Sequence, residues 1–514
     1  MNKSILAVIR CSLMFLVQAV AYAGSAQWDL NPSSGDWNTA ANWAPMAVPN
    51  GPGDVATFAL SNTTNVFTSA NTEVNGITFT AAVTNPYTIT ANADWTLRIT
   101  GTGITNNSGR TQHFITAVGA NGEFGLIVFS NSATAGNSTE FTNNGAFLNG
   151  EVRGGTRFLD TSSAGDGRFI NNGGFTEFSG NSTAANGSFI NNGGTVSGAA
   201  GGSTIFRGNS TAASATLVAN GGSNGGGGGT ILFVDQSSAG TARIEVFGNG
   251  ALDISLHDAP GMTIDSIEGN GKVFLGGNNL TIGSHNLSTT FSGAIHDGGR
   301  GGGTGGSLTK IGTGTLTLTG ANTYTGDTNV NGGVLKVNGS VMSNTFVNPG
   351  STLAGTGTIN GNVTNNRGTV SPGHAPEILT INGTYTQTQY ATLMIQIAGT
   401  SAGQFSVLDV MGNANLNAYL DPVLLNGFVP TIGDSFTFLN YASLTGGFSQ
   451  IKHQVFDNGI LQWSVIYQNH SAILTVEPNT IPDHASTFLL MTLGLLALVA
   501  YRRQLLATQD LPRR

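Results

Sequence analysis

TRFLDTSSA (156–164), TEFSGNSTA (176–184), TIFRGNSTA (204–212) and ILFVDQSSA (231–239) are four copies of one motif. Each is followed by a second apolar pair: Phe169-Ile170, Phe189-Ile190, Leu217-Val218 and a weaker Ile244 with Val246. Phe158 to Phe169, Phe178 to Phe189, Phe206 to Leu217 and Phe233 to Ile244 are all separated by 11 residues, whereas whole units recur every 20 to 28. Insertions such as Ser223–Gly229 take up the slack. A constant inner spacing with a variable outer length means that two strands of each unit stack on those of the next while a loop grows freely. Gly and Asn tolerate the left-handed backbone that sharp corners need. One unit cannot close a core alone, so Phe158, Phe178, Phe206 and Phe233 are predicted to form a single interior column. The fold class this implies is all-β, a parallel β-helix or related β-solenoid. Antiparallel sandwiches are the alternative, and they would demand more regular hairpin turns.

Composition agrees. Of 514 residues, 75 are Gly and only 9% are charged, and Thr, Val, Ile and Phe occur in short runs broken by Gly and Asn. That balance favours strands and tight turns over helices. A formal charge of −8 with no basic stripe excludes nucleic acid as a partner. The single cysteine, Cys11, lies in the N-terminal leader, so the mature chain has neither disulfides nor thiolate chemistry.

Both ends carry addresses. Lys3 and Arg10 precede the apolar run Leu13–Val20, and Ala21 and Ala23 stand at −3 and −1 of a signal-peptidase site after Ala23. At the other end Ile481-Pro482-Asp483 precedes the apolar run Phe488–Tyr501, and Arg502-Arg503 follow at once. An apolar stretch closed by arginines is expected to stop in a membrane as an isolated helix over 488–501, marginal in length for a permanent span.

The stretch GSLTKIGTGTLTLTGANTYTGDTNVNGGVLKVNGS (306–340) alternates strictly at Thr315–Thr319, and Leu316, Leu335 and Leu353 follow at spacings of 19 and 18 residues, about one coil each. It closely resembles the autotransporter-associated β-strand repeat, and the likeness extends over roughly 306–475. That resemblance implies the passenger solenoid of an exported surface protein. Only 39 residues follow Thr475, too few for a self-translocating barrel, so the tail is expected to take its place. The tail in turn resembles the PEP-CTERM class of sorting signals, in which an exosortase-type membrane protease is thought to recognise a Val-Pro-Asp-Ser-Gly motif. Ile481 replaces Val here, and His484-Ala485 replace Ser-Gly.

Catalytic and metal motifs are thin. No two histidines have the i, i+4 spacing of a zinc helix. Gly301-x-Gly303-x-x-Gly306 matches a dinucleotide fingerprint only as a string, because it lies in low-complexity sequence leading into a strand. Asp327-x-Asn329-x-Asn331-Gly332 copies half a calcium loop, with Asn338 where the bidentate Glu belongs. β-Helices include pectate lyases, so Asp235, Asp253, Asp258 and Asp265 with Arg243 and Lys272 are the candidates for a carbohydrate-active site, although their spacings ignore the coil period. Trp28, Trp37 and Trp43 lie within 16 residues and would either stack on sugar rings or cap the solenoid's open end, with the cap favoured.

The chain therefore divides into a signal peptide (1–23), an N-terminal β cap region (24–110), glycine-rich solenoid repeats (111–297), autotransporter-associated repeats (298–400), a C-terminal β region (401–477) and a sorting signal (478–514) with its transmembrane helix. The expected function is a non-enzymatic structural or adhesive component of the envelope or extracellular matrix, needing no cofactor and no metal. Expected partners are signal peptidase, an exosortase-type protease, the membrane and an extracellular polysaccharide. The alternatives are a polysaccharide-active enzyme and a glycan-binding module.

Overall fold

A computed structural model describes residues 24–145, 153–373, 377–479 and 484–507. Ala21 and Ala23 of the leader, and Ile481, Pro482 and Asp483 of the tail motif, lie outside them.

One coil shows how the sequence is used. The strand Gly155–Phe158 turns at Asp160, whose φ is +56°, and touches its neighbours through Ser163. It turns again at Gly165 (φ +58°), runs back through the strand Arg168–Asn172 and closes at Gly173 (φ +74°). Alternation sends Phe158 and Phe169 inward, and in-register parallel pairing repeats the arrangement in the coils on either side. Phe158, Phe178, Phe206 and Phe233 form the predicted column and Phe129 extends it, with successive ring centroids 4.7–4.9 Å apart and planes within 8°. Phe114, Phe141, Phe169 and Phe189 form a second column, and Phe158–Phe169 and Phe178–Phe189 meet edge-on across the core at 5.6 and 5.5 Å. Rings at strand spacing satisfy both preferred aromatic geometries at once.

Three faces result. The first is a 13-stranded sheet ending at Ala294–His296. The second is an open parallel ladder from Asn65–Phe67 to Gln450–Ile451. The third begins as single-residue bridges, Gly103–Thr134–Ser163–Thr183–Thr211–Ser238, and widens into full strands from Gly261–Ile264 onward. Pairing between coils is parallel, which excludes the sandwich alternative. It also starts at Ala26, so residues 24–110 are themselves coils rather than a separate cap. Among the described residues, antiparallel pairing of whole strands is confined to the ends: the hairpin of Ala26–Trp28 with Trp43–Ala44, and the closing strands Ser435–Gly446, Val455–Phe456, Leu461–Tyr467 and Ser471–Pro478.

The tail helix is present, His484–Ala507, and its side chains from 491 to 505 are exposed. No helix among the described residues is long and apolar enough to cross a membrane, which corrects the transmembrane reading of 488–501. At about 1.5 Å per residue the run Phe488–Tyr501 reaches only about 21 Å, against a hydrocarbon core of about 30 Å, before Arg502 and Arg503.

Three interior tyrosines give the fold a pH signature. Burial pushes Tyr324 up to about 12, despite its hydroxyl bonds with Thr328 and through it Ser343. Burial likewise raises Tyr87 to about 12, and raises Tyr385. Because the folded values exceed the unfolded one, this stability is fully present below pH 10 and is lost as pH climbs toward 12, roughly 2–3 kcal/mol for Tyr324 alone. Tyrosinate absorbance from these residues should therefore rise together with loss of the β circular dichroism signal. Full ionisation of all tyrosines before any change in that signal would contradict the burial.

Candidate functional site

The end of each second-face strand reads Asn-Asn in three successive coils, and the two positions behave oppositely. Alternation turns the first inward. Asn143 donates to Asn171 Oδ1 (2.9 Å) and Asn171 to Asn191 Oδ1 (2.8 Å), while Thr156, Thr176 and Thr204 donate to Oδ1 of Asn143, Asn171 and Asn191 respectively at 2.9–3.0 Å. All six side chains are fully buried. The second position turns outward: Asn220 donates to Asn192 Oδ1 (3.0 Å) and Asn192 to Asn172 Oδ1 (2.8 Å).

This outer ladder floors a cleft of about 1170 Å³. Corner length shapes it. After Asn172 the chain turns through Gly173-Gly174 alone, whereas 193–202 and 220–229 are long glycine-rich loops. Those loops brace each other through Gly194 N–H to Gly227 O, Gly227 N–H to Ala199 O and the Asn224 amide to Thr195 O. Ala117–Ala120 closes the far side, and Asn144 continues the floor. None of the described lining residues ionises; they are Asn, Gly, Ala, Val, Thr and Ser.

The residues singled out in sequence lie elsewhere. Trp28, Trp37 and Trp43 are buried, donate to the carbonyls of Thr63, Pro49 and Trp37, and pack on Phe58 at 5.6–6.0 Å. They plug the first coil, and a buried indole has no face to offer a sugar, so the stacking reading is withdrawn. Asp253 lies on the first face and accepts from Ser255 and the Arg300 amide. Asp265 sits between a third-face and a second-face strand and accepts from the His285 amide. Asp235 accepts from the Gly208 amide, and Arg243 pairs with Glu245 and Glu268. Asp235, Asp253 and Lys272 belong to successive first-face strands, Arg243 to the second face and Asp265 to a corner, and the carboxylates of Asp235, Asp253 and Asp265 are each engaged by local backbone amides. Ser284, His285 and Asp265 do meet, but Ser284 Oγ and the Asp265 carboxylate both approach Nδ1 of His285, at 3.4 and 3.3 Å. A hydrolytic triad needs them on opposite ring nitrogens. Among the described residues no group of three His, Cys, Asp or Glu could hold a metal, and Thr328–Val330 of the calcium-like string is a strand.

Lys310, in the diagnostic stretch, is buried with Nζ donating to the carbonyls of Ile311 (2.6 Å), Gly312 and Gly332 (3.3 Å each), and burial lowers its pKa. The lysine of this repeat is thus a corner clamp joining two coils.

Stacked parallel coils with glycine corners define a parallel β-solenoid. Residues 308–337 match the family model described as Passenger-associated-transport-repeat. Over 69 residues the chain is 49% identical to an "Extracellular serine protease" of Serratia marcescens, covering 13% of this chain and 7% of that protein. Over 103 residues it is 40% identical to the "Adhesin BmaC autotransporter" of Brucella suis biovar 1, covering 19% and 3%. The chain thus spans under a tenth of these relatives' lengths. The Haemophilus influenzae Hap adhesin crystal structure aligns at 12% identity with a TM-score of 0.23, over 83% of this chain and 64% of that one. The chain is autotransporter-passenger-like.

Proposed function

We propose that the protein is an exported, non-enzymatic structural and adhesive component of the cell surface or extracellular matrix of a Gram-negative-type bacterium. The observation that carries this is the outer surface of the rod, where amide ladders such as Asn172–Asn192–Asn220 and Asn331–Asn348–Asn366 repeat at the coil spacing. Repeated neutral hydrogen-bonding groups on a stiff scaffold suit many weak contacts with an extended partner, where avidity replaces a single strong site. The passenger-type repeat and the adhesin among the relatives support the same reading. Deleting the gene is expected to reduce cell-to-surface attachment, and re-expression of the full chain to restore it. Unchanged attachment, with the protein absent from the surface of wild-type cells by antibody labelling, would refute the reading.

The tail fits a processing signal better than a permanent span. Signal peptidase would remove the leader after Ala23, and an exosortase-type protease would act near Ile481-Pro482-Asp483, with Arg502 and Arg503 holding the tail until cleavage. Replacing Pro482 and Asp483 with alanine should leave a larger, cell-held precursor. Deleting 481–514 should release the protein into the medium. Wild-type size and location in both variants would place attachment elsewhere.

A further inference from the structure

We infer that the asparagine-floored cleft is a binding site for a neutral polysaccharide segment. The inference rests on the adhesive reading above and names the ligand class of one site within it.

Four observations carry it. The floor is directional: Asn220 donates to Asn192 and Asn192 to Asn172, leaving the Asn172 donor and the Asn220 oxygen without partners among the described residues. A hydroxyl group, both donor and acceptor, completes either end. The described lining offers neutral amide, hydroxyl and backbone groups, the donors and acceptors that match sugar hydroxyls. From Asn144 to Asn220 the floor advances three coils, roughly 14 Å at about 4.8 Å per strand, so it takes several sugar rings end to end rather than one. The walls are held by their own backbone hydrogen bonds, so the cleft exists before ligand arrives and little ordering is needed on binding. An extended peptide fits less well, because the Gly194 and Gly227 amides that would form a ladder with it are already paired.

The test is native affinity electrophoresis of the full chain in gels containing hydroxyethyl cellulose, laminarin or galactomannan, with hyaluronate as the acidic comparison. At least one neutral polymer should retard the protein, and added salt should leave the retardation unchanged. The double variant Asn172→Ala/Asn192→Ala should lose about tenfold in affinity, the worth of one or two hydrogen bonds. Ser223→Trp, on an exposed wall position, should block the cleft without touching the core. Thr263→Ala, exposed on a third-face strand away from the cleft, should bind as wild type. Retardation by no neutral polymer, salt-sensitive retardation by hyaluronate alone, or wild-type binding in both cleft variants would overturn the assignment. So would self-association abolished by Ser223→Trp in sedimentation. Loss of retardation in the double variant with cell attachment intact would mean that adhesion uses another surface while the cleft assignment stands.

Discussion

Phe178→Ala is expected to destabilise the solenoid by roughly 3–5 kcal/mol, the cost of deleting a buried ring and leaving its cavity. Phe178 touches Phe158 at 4.7 Å, Phe206 at 4.9 Å and the edge of Phe189 at 5.5 Å, so three rings lose a partner together. The cavity cannot collapse, because the neighbouring rings are held at strand spacing by their own ladders. Coil stability is a nearest-neighbour sum, so the damage stays local and divides the rod at that coil. Urea unfolding followed by circular dichroism should show a lower midpoint and a second transition. Phe175→Ala removes an outward-facing ring and should cost far less. Equal midpoints for Phe178→Ala and wild type would contradict the stacked column.

Asn171→Leu should cost about 3 kcal/mol or more although leucine is of similar size. The substitution removes the acceptor of Asn143 (2.9 Å) and Thr176 (3.0 Å) and the donor to Asn191 (2.8 Å) and Ser203 O (3.0 Å). Asn143 and Thr176 stay buried with unpaid hydrogen bonds, and an orphaned buried polar group costs about 1–3 kcal/mol. Asn172→Leu, one residue on and facing out, should lie within about 0.5 kcal/mol of wild type. Thermal melts of the pair decide it. An Asn171→Leu chain as stable as Asn172→Leu would mean that the buried ladder contributes nothing.

The coil and its aromatic column were legible because spacing survives where sequence identity fades. Phe158 to Phe169 and Phe206 to Leu217 keep the same offset although the ring becomes a leucine. The opposite fates of Asn171 and Asn172 were legible too, since alternation from Phe169 puts the first inside, but paired asparagines read more readily as a turn. The coils within 24–110 were not. Their strands run to 8 or 11 residues and carry register shifts at Gly51/Val55 and Val74/Gly76, which break the 11-residue rule. The three tryptophans announced a special end, but composition alone could not tell a plug from a binding face. The cleft stayed hidden because it arises from one short corner between long ones, and loop length gains meaning only after the coils are stacked.

The coil pairing has a mechanical consequence. Each coil is held to the next by parallel ladders and the side chains stacked between them, and no disulfide joins distant coils. Pulled at its ends, such a rod yields by unzipping from one end rather than by global rupture. A 20-residue coil that occupied about 4.8 Å of the axis pays out roughly 70 Å of slack chain. Under shear the protein would behave as a ratcheted tether, surrendering length one coil at a time while the remaining coils keep their grip.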